Sequence, residues 1–131
     1  MQLEDTVVLV TGGASGLGRG ICQVLAERGA DLAVADIDLD GATRVAKEVT
    51  RAGHRAQAFK VDVTGESNVR GLVKATIDAF DRIDVLVNSA GVIAAPGYEE
   101  TTTSRREDWD TTFQVNVMGT VLASEAVAEA M

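Results

Sequence analysis

The chain has 131 residues, 46% of them apolar, and twelve basic against twenty acidic side chains give a formal net charge of −8. That length fits one domain with a reasonable core, so residues 1–131 read as a single unit. The acidic balance argues against nucleic acid or an anionic membrane as partner, and no apolar run is long enough to span a bilayer.

The first strand-like run is Val7 to Val10, with no signal-peptide pattern ahead of it. Thr11-Gly12-Gly13-Ala14-Ser15-Gly16-Leu17-Gly18 follows at once. Gly12, Gly16 and Gly18 let the chain turn tightly and let backbone N–H groups approach a pyrophosphate. A helix beginning near Leu17 points its positive dipole end at the same place, and Ser15 sits within the turn. Leu17, Ile21, Val24 and Leu25 form one stripe of that helix, and Gly29 is its expected stop. Cys22 lies on this helix and is expected in the core. A single cysteine excludes an internal disulfide and fits a reducing cytoplasm. One histidine and one cysteine make no metal site, so no metal is expected.

Leu32 to Ala35 reads as the second strand, ending at Asp36 and Ile37, and a second helix starts near Asp38 or Asp40 and stops at Gly53. Asp36 lies eighteen residues past Gly18. A carboxylate there can accept hydrogen bonds from both hydroxyls of an adenosine ribose, each worth about 1.5–3 kcal/mol. It would also repel a 2′-phosphate, and no basic residue stands in the glycine turn or directly after Asp36 to hold one. NAD is therefore expected in preference to NADP.

Ala56 to Val61 reads as the third strand, and Val69, Leu72, Val73, Thr76, Ile77 and Phe80 keep helical spacing after it. Ile83 to Asn88 is the fourth strand. It runs into Asn88-Ser89-Ala90-Gly91, small residues that let a cofactor approach the backbone. A polar loop from Gly91 to Thr103 holds the only proline, Pro96. Ser104-Arg105-Arg106-Glu107 reads as a capping box opening a last helix. That helix carries two apolar stripes, Trp109, Phe113, Val117, Val121 and Val115, Met118, Leu122, Ala126, so it is expected to meet its own sheet and a second surface.

Four strands joined by three crossover helices predict a doubly wound parallel sheet of Rossmann type, a three-layer αβα arrangement. The first strand is central and the fourth lies beside it across the topological switch point.

With these motifs in view the chain resembles the short-chain dehydrogenase/reductase family. Thr11 to Gly18 is similar to the family's cofactor turn. Asn88 to Gly91 is similar to its Asn-Asn-Ala-Gly motif, with Ser89 departing at the second position. The resemblance implies that Asp62-Val63 holds the adenine, carboxylate to the exocyclic amine and backbone to the ring edge. It implies that Asn116, within Phe113 to Gly119, takes the place of the helix asparagine of the family's active site, which kinks its helix and holds a water in the proton relay. It also implies hydride transfer between NAD and a small-molecule alcohol or carbonyl substrate.

The resemblance covers about the first half of the family's domain. Family members continue into a fifth strand with a catalytic serine and a Tyr-x-x-x-Lys helix. Here the only tyrosine, Tyr98, has Thr102 four residues on, and Lys47, Lys60 and Lys74 all precede it. The expectation is a cofactor-binding half-domain that is inactive alone, truncated after about four strands. The alternative is a non-catalytic NAD-binding or dimerisation module. An unpaired fourth strand and an apolar helix face both predict weak stability or homo-oligomerisation, through that strand or the last helix.

Overall fold

The structure is a computed structural model that describes residues 3–93 and 105–131. Its order is β1 (Val7–Thr11), α1 (Gly16–Glu27), β2 (Asp31–Asp36), α2 (Leu39–Arg51), β3 (Ala56–Lys60), α3 (Glu66–Phe80), β4 (Val85–Asn88), α4 (Arg106–Phe113), a π-helical segment (Gln114–Met118) and α5 (Gly119–Ala130). The four strands form one parallel sheet in the order β3-β2-β1-β4. The expected topology is the observed one, with β1 inside and the switch point between β1 and β4.

Parallel strands covered on both faces bury both sets of alternating side chains. Every residue of β1 is buried. Val8, Val10, Leu32 and Val34 face α1 and α2, where Cys22, Ala26, Ala42, Val45 and Val49 meet them. Val7, Leu9, Ala33 and Ala35 face α3 and α5, against Val69, Leu72, Val73, Phe80, Ala123 and Val127. Complete burial of a Val or Leu side chain is worth about 1.5–3 kcal/mol, so these two layers dominate the fold.

Element ends follow local chemistry. Asp38 caps α2 by accepting from Gly41 N at 3.0 Å. Gly29 closes α1, its N–H bonding Ala26 O at 2.8 Å. The third strand ends at Lys60 rather than Val61, and the fourth begins at Val85 rather than Ile83. Ahead of β4, Asp84 N donates to Val7 O at 2.9 Å, and Val7 N donates to Asp84 Oδ2 at 2.9 Å. Arg82 Nε holds the other carboxylate oxygen at 2.8 Å.

These donors hold the Asp84 carboxyl below its ordinary value of 3.8, the Val7 amide foremost. The stability that follows from a lowered carboxyl is complete above that ordinary value and is lost as pH falls through the folded one. Urea unfolding between pH 6 and pH 2.5 is expected to show stability falling in the acid limb, with a shallower fall for Asp84→Asn. Equal slopes would remove Asp84 from the account.

The last helical stretch departs from expectation in two ways. It starts at Arg106, and the reciprocal capping contact is Arg105 N to Asp108 Oδ2 at 2.9 Å, not one made by Glu107. Ser104, like Pro96 and Tyr98, lies outside the described residues. The stretch is also not one continuous α-helix, because it widens over Gln114–Met118, where Gly119 N reaches back five residues to Gln114 O. The two apolar stripes have different fates. Val115, Leu122 and Ala126 join the core, while Trp109, Phe113, Val117 and Val121 remain exposed.

Gly71 sits inside α3, and a methyl group there would meet nothing within 4 Å. Gly71→Ala is expected to stabilise the chain by about 0.5–1 kcal/mol, because alanine loses less backbone entropy in a helix. Urea denaturation measures it, and a lowered midpoint would contradict the open space.

Candidate cofactor site

The carboxyl ends of all four strands meet at a cleft of about 450 Å³. Its wall comprises the glycine turn and start of α1 (Gly12, Ser15, Gly16, Leu17, Gly18), the end of β2 and the residue after it (Asp36, Ile37), and the run after β3 (Val61, Asp62, Val63). The run after β4 (Ser89, Ala90, Gly91, Val92) and Val115 of the π segment complete it. The cleft lies beside the switch point, where open α/β sheets leave room for ligands.

The turn is built for backbone approach. Gly12 has φ +70°, and a methyl group on it would lie 2.5 Å from Ala90 N. A methyl group on Gly18 would overlap the carbonyl of Gly12. Ser15 precedes α1 but makes no side-chain cap, and the first helical bond is Arg19 N to Ser15 O at 3.2 Å. The amides of the first turn therefore lack intrahelical partners, the arrangement that receives an anion at a helix N-terminus.

Asp36 fastens this turn to the end of β2. Its Oδ2 accepts from Ala14 N at 3.0 Å and its Oδ1 from Asp38 N at 3.0 Å. Each carboxylate oxygen retains acceptor capacity toward the cleft. Across the mouth, Asp62 Oδ1 accepts from Thr64 N at 3.0 Å and from the Thr64 hydroxyl at 2.7 Å. Those two bonds, the hydroxyl first, lower the Asp62 carboxyl from its ordinary value and keep it an acceptor at neutral pH.

Most of the residues singled out from sequence share this wall. Asn88 does not line it, because its amide turns to Ser124 Oγ of α5 at 3.2 Å. Asn116 stands just behind the wall. Its Oδ1 accepts from Val92 N at 2.8 Å and its Nδ2 donates to Val92 O at 2.9 Å. The Thr120 hydroxyl donates to Asn116 O at 3.1 Å. Val61, Val92 and Val115 were not foreseen. Val61 and Val92 flank recognised residues, whereas nothing local marks Val115, which the π segment carries to the cleft. Cys22 lies beneath the turn, with its thiol pushed up to about 11 by burial. A neutral buried thiol is a packing group there, not a nucleophile.

A family profile described as short chain dehydrogenase matches residues 6–131. The chain belongs to the short-chain dehydrogenase family. It is 39% identical over 127 residues to (2S)-[(R)-hydroxy(phenyl)methyl]succinyl-CoA dehydrogenase subunit BbsD of Thauera aromatica, covering 97% of this chain and 50% of that protein. It is 39% identical over 132 residues to D-threitol dehydrogenase of Mycolicibacterium smegmatis, covering 99% and 49%. A short-chain dehydrogenase/reductase from Burkholderia phymatum, solved in complex with NAD, superposes with TM-score 0.89 at 31% identity, covering 100% of this chain and 46% of that one. The chain spans about half the length of the relatives it matches. Within this short-chain dehydrogenase domain, no helix of the described residues is long and apolar enough to cross a membrane.

Proposed function

We propose that this chain is the NAD-binding part of an oxidoreductase that moves hydride between the nicotinamide and a small alcohol or carbonyl substrate. The observation that carries the reading is the Asp36 carboxylate, held at the cleft by Ala14 N and Asp38 N beside an uncapped helix start. The donor set suits the cofactor. Free amides of the Gly16 to Gly18 turn meet the pyrophosphate, and Gly12 and Gly18 leave it room. Asp36 accepts from the adenosine ribose and repels a 2′-phosphate, so NAD is taken in preference to NADP. Ile37 and Leu17 supply apolar cover. Asp62 accepts from the adenine amine, and the Val63 backbone meets the ring edge. Ala90 and Gly91 line the passage past β4.

When bound, the nicotinamide supplies the hydride acceptor or donor. The chain's own part is to bind and orient. Asn116 fixes the Val92 backbone beside the cleft and, in its family role, holds a water of the proton relay. In this family a tyrosine exchanges the proton and a lysine lowers its pKa; no Tyr-x-x-x-Lys stands within these 131 residues, whose own part is binding and orientation. The single buried cysteine suits a reducing cytoplasm.

A second reading, a non-catalytic NAD-binding and dimerisation module, draws on the exposed stripe of Trp109, Phe113, Val117 and Val121 and on β4 at the sheet edge. Either surface would bring copies of the chain together.

Calorimetric titration with NAD, with NADP alongside, tests the proposal. Saturable NAD binding with weaker NADP binding is expected. A folded chain that takes up neither would remove the cofactor role.

A further inference from the structure

One element reaches both sides of the cleft. The π segment presents Asn116 to Val92 beyond β4. Three residues on, where the segment closes, the helix lies against Val63 beyond β3. Gly119 makes that second contact possible. It is buried, and a methyl group on it would stand 2.6 Å from Val63 Cγ2 and 3.1 Å from Val63 Cβ. All three atoms nearest to such a methyl group belong to Val63, the third being its carbonyl oxygen at 3.5 Å. Val63 is itself nearly buried, packed with Ala123 and Val127 of α5 and yet on the cleft wall. A side chain at 119 would therefore drive Val63 toward the cleft or lift the helix from it, since close-packed interiors shift rather than absorb a methyl group.

We propose that Gly119 is a positioning residue of the adenosine subsite. The bare backbone at the end of the π segment seats Val63, and Val63 sets the wall against which the adenine rests. The inference rests on the reading of the cleft as a dinucleotide site. The helix that carries Asn116 thereby fixes both the loop after β3 and the run after β4.

The test is a double-mutant cycle on the whole chain, with NAD and AMP as ligands. Gly119→Ala is expected to raise the dissociation constants of NAD and of AMP by similar factors, about tenfold. In a Val63→Ala background, adding Gly119→Ala is expected to cost less than threefold, because the severe 2.6 Å contact with Cγ2 is gone and only the milder 3.1 Å approach to Cβ remains. Gly71→Ala, a helix glycine with open space around it, serves as the control for a general glycine effect and should leave both constants where they were.

Binding of NAD unchanged by Gly119→Ala would overturn the proposal while leaving the cofactor reading intact. So would a loss for NAD without a loss for AMP, which would place the lesion elsewhere in the cleft. A parent chain that binds neither ligand would overturn both. If Gly119→Ala does not fold, Val63→Ala with and without it decides. Matching affinities support the positioning role, and a tenfold gap, or failure of the double variant alone to fold, overturns it.

Discussion

Gly12→Ala is expected to destabilise the chain by about 2–5 kcal/mol and to abolish measurable NAD binding. Two separate costs meet at this position. Its φ of +70° is a left-handed conformation that a side chain resists by roughly 1–2 kcal/mol. The added methyl group would also stand 2.5 Å from Ala90 N, which is backbone and cannot rotate away. Relief requires β1 and the run after β4 to part, and overpacking of that kind costs about 1–3 kcal/mol. The movement opens the cleft between the glycine turn and Ala90, so binding fails for the reason that the fold weakens. Urea unfolding measures the first effect and calorimetric titration the second. A Gly12→Ala chain that binds NAD like its parent would show that the close approach at Ala90 plays no part in the site.

The second large effect is expected at Asp36. On the proposed reading Asp36→Ala would remove acceptors for the two ribose hydroxyls, about 3 kcal/mol in sum and so a loss of roughly 100-fold or more in NAD affinity. It also releases Ala14 N and Asp38 N, which the carboxylate joins across the turn and the start of α2. A further loss of about 1–2 kcal/mol in folding stability follows from those two bonds. NADP, whose 2′-phosphate the carboxylate would repel on this reading, should lose much less, so the gap between the two cofactors would narrow. Titration of both with parent and variant reads the difference. Parallel losses for NAD and NADP would assign Asp36 to holding the turn and not to choosing the cofactor.

Much of this site could be read without coordinates because its parts are continuous in sequence. A β-branched run, a glycine turn and a helix start are adjacent residues, and their geometry is local. Asp36, Asp62 and Ala90 each stand at or just past the end of a strand-like run. Parallel strands in one sheet bring such ends together whatever the loops between them do. The departures have a different origin. Asn88 occupies a motif position, yet its amide is taken by Ser124, thirty-six residues away. Arg105 and Asp108 displaced the expected capping pair by one residue, a shift that spacing alone does not resolve. The widening over Gln114–Met118 leaves the apolar period nearly unchanged, so the stripes on either side of it read as one helix.

The sequence by itself determined the alternation of strands and helices, the position of the glycine turn, the acidic residue that ends β2, and the family to which these belong. Each is set by neighbours within a few residues, through φ preferences, capping and the periods of strand and helix. Tertiary structure decided which stripe of the last helix is covered, that Asn116 grips Val92, that Val115 reaches the cleft, and that Val63 is seated by Gly119. Those facts depend on packing between elements far apart in the chain, where a helix settles only when close contacts such as that of Gly119 with Val63 admit it.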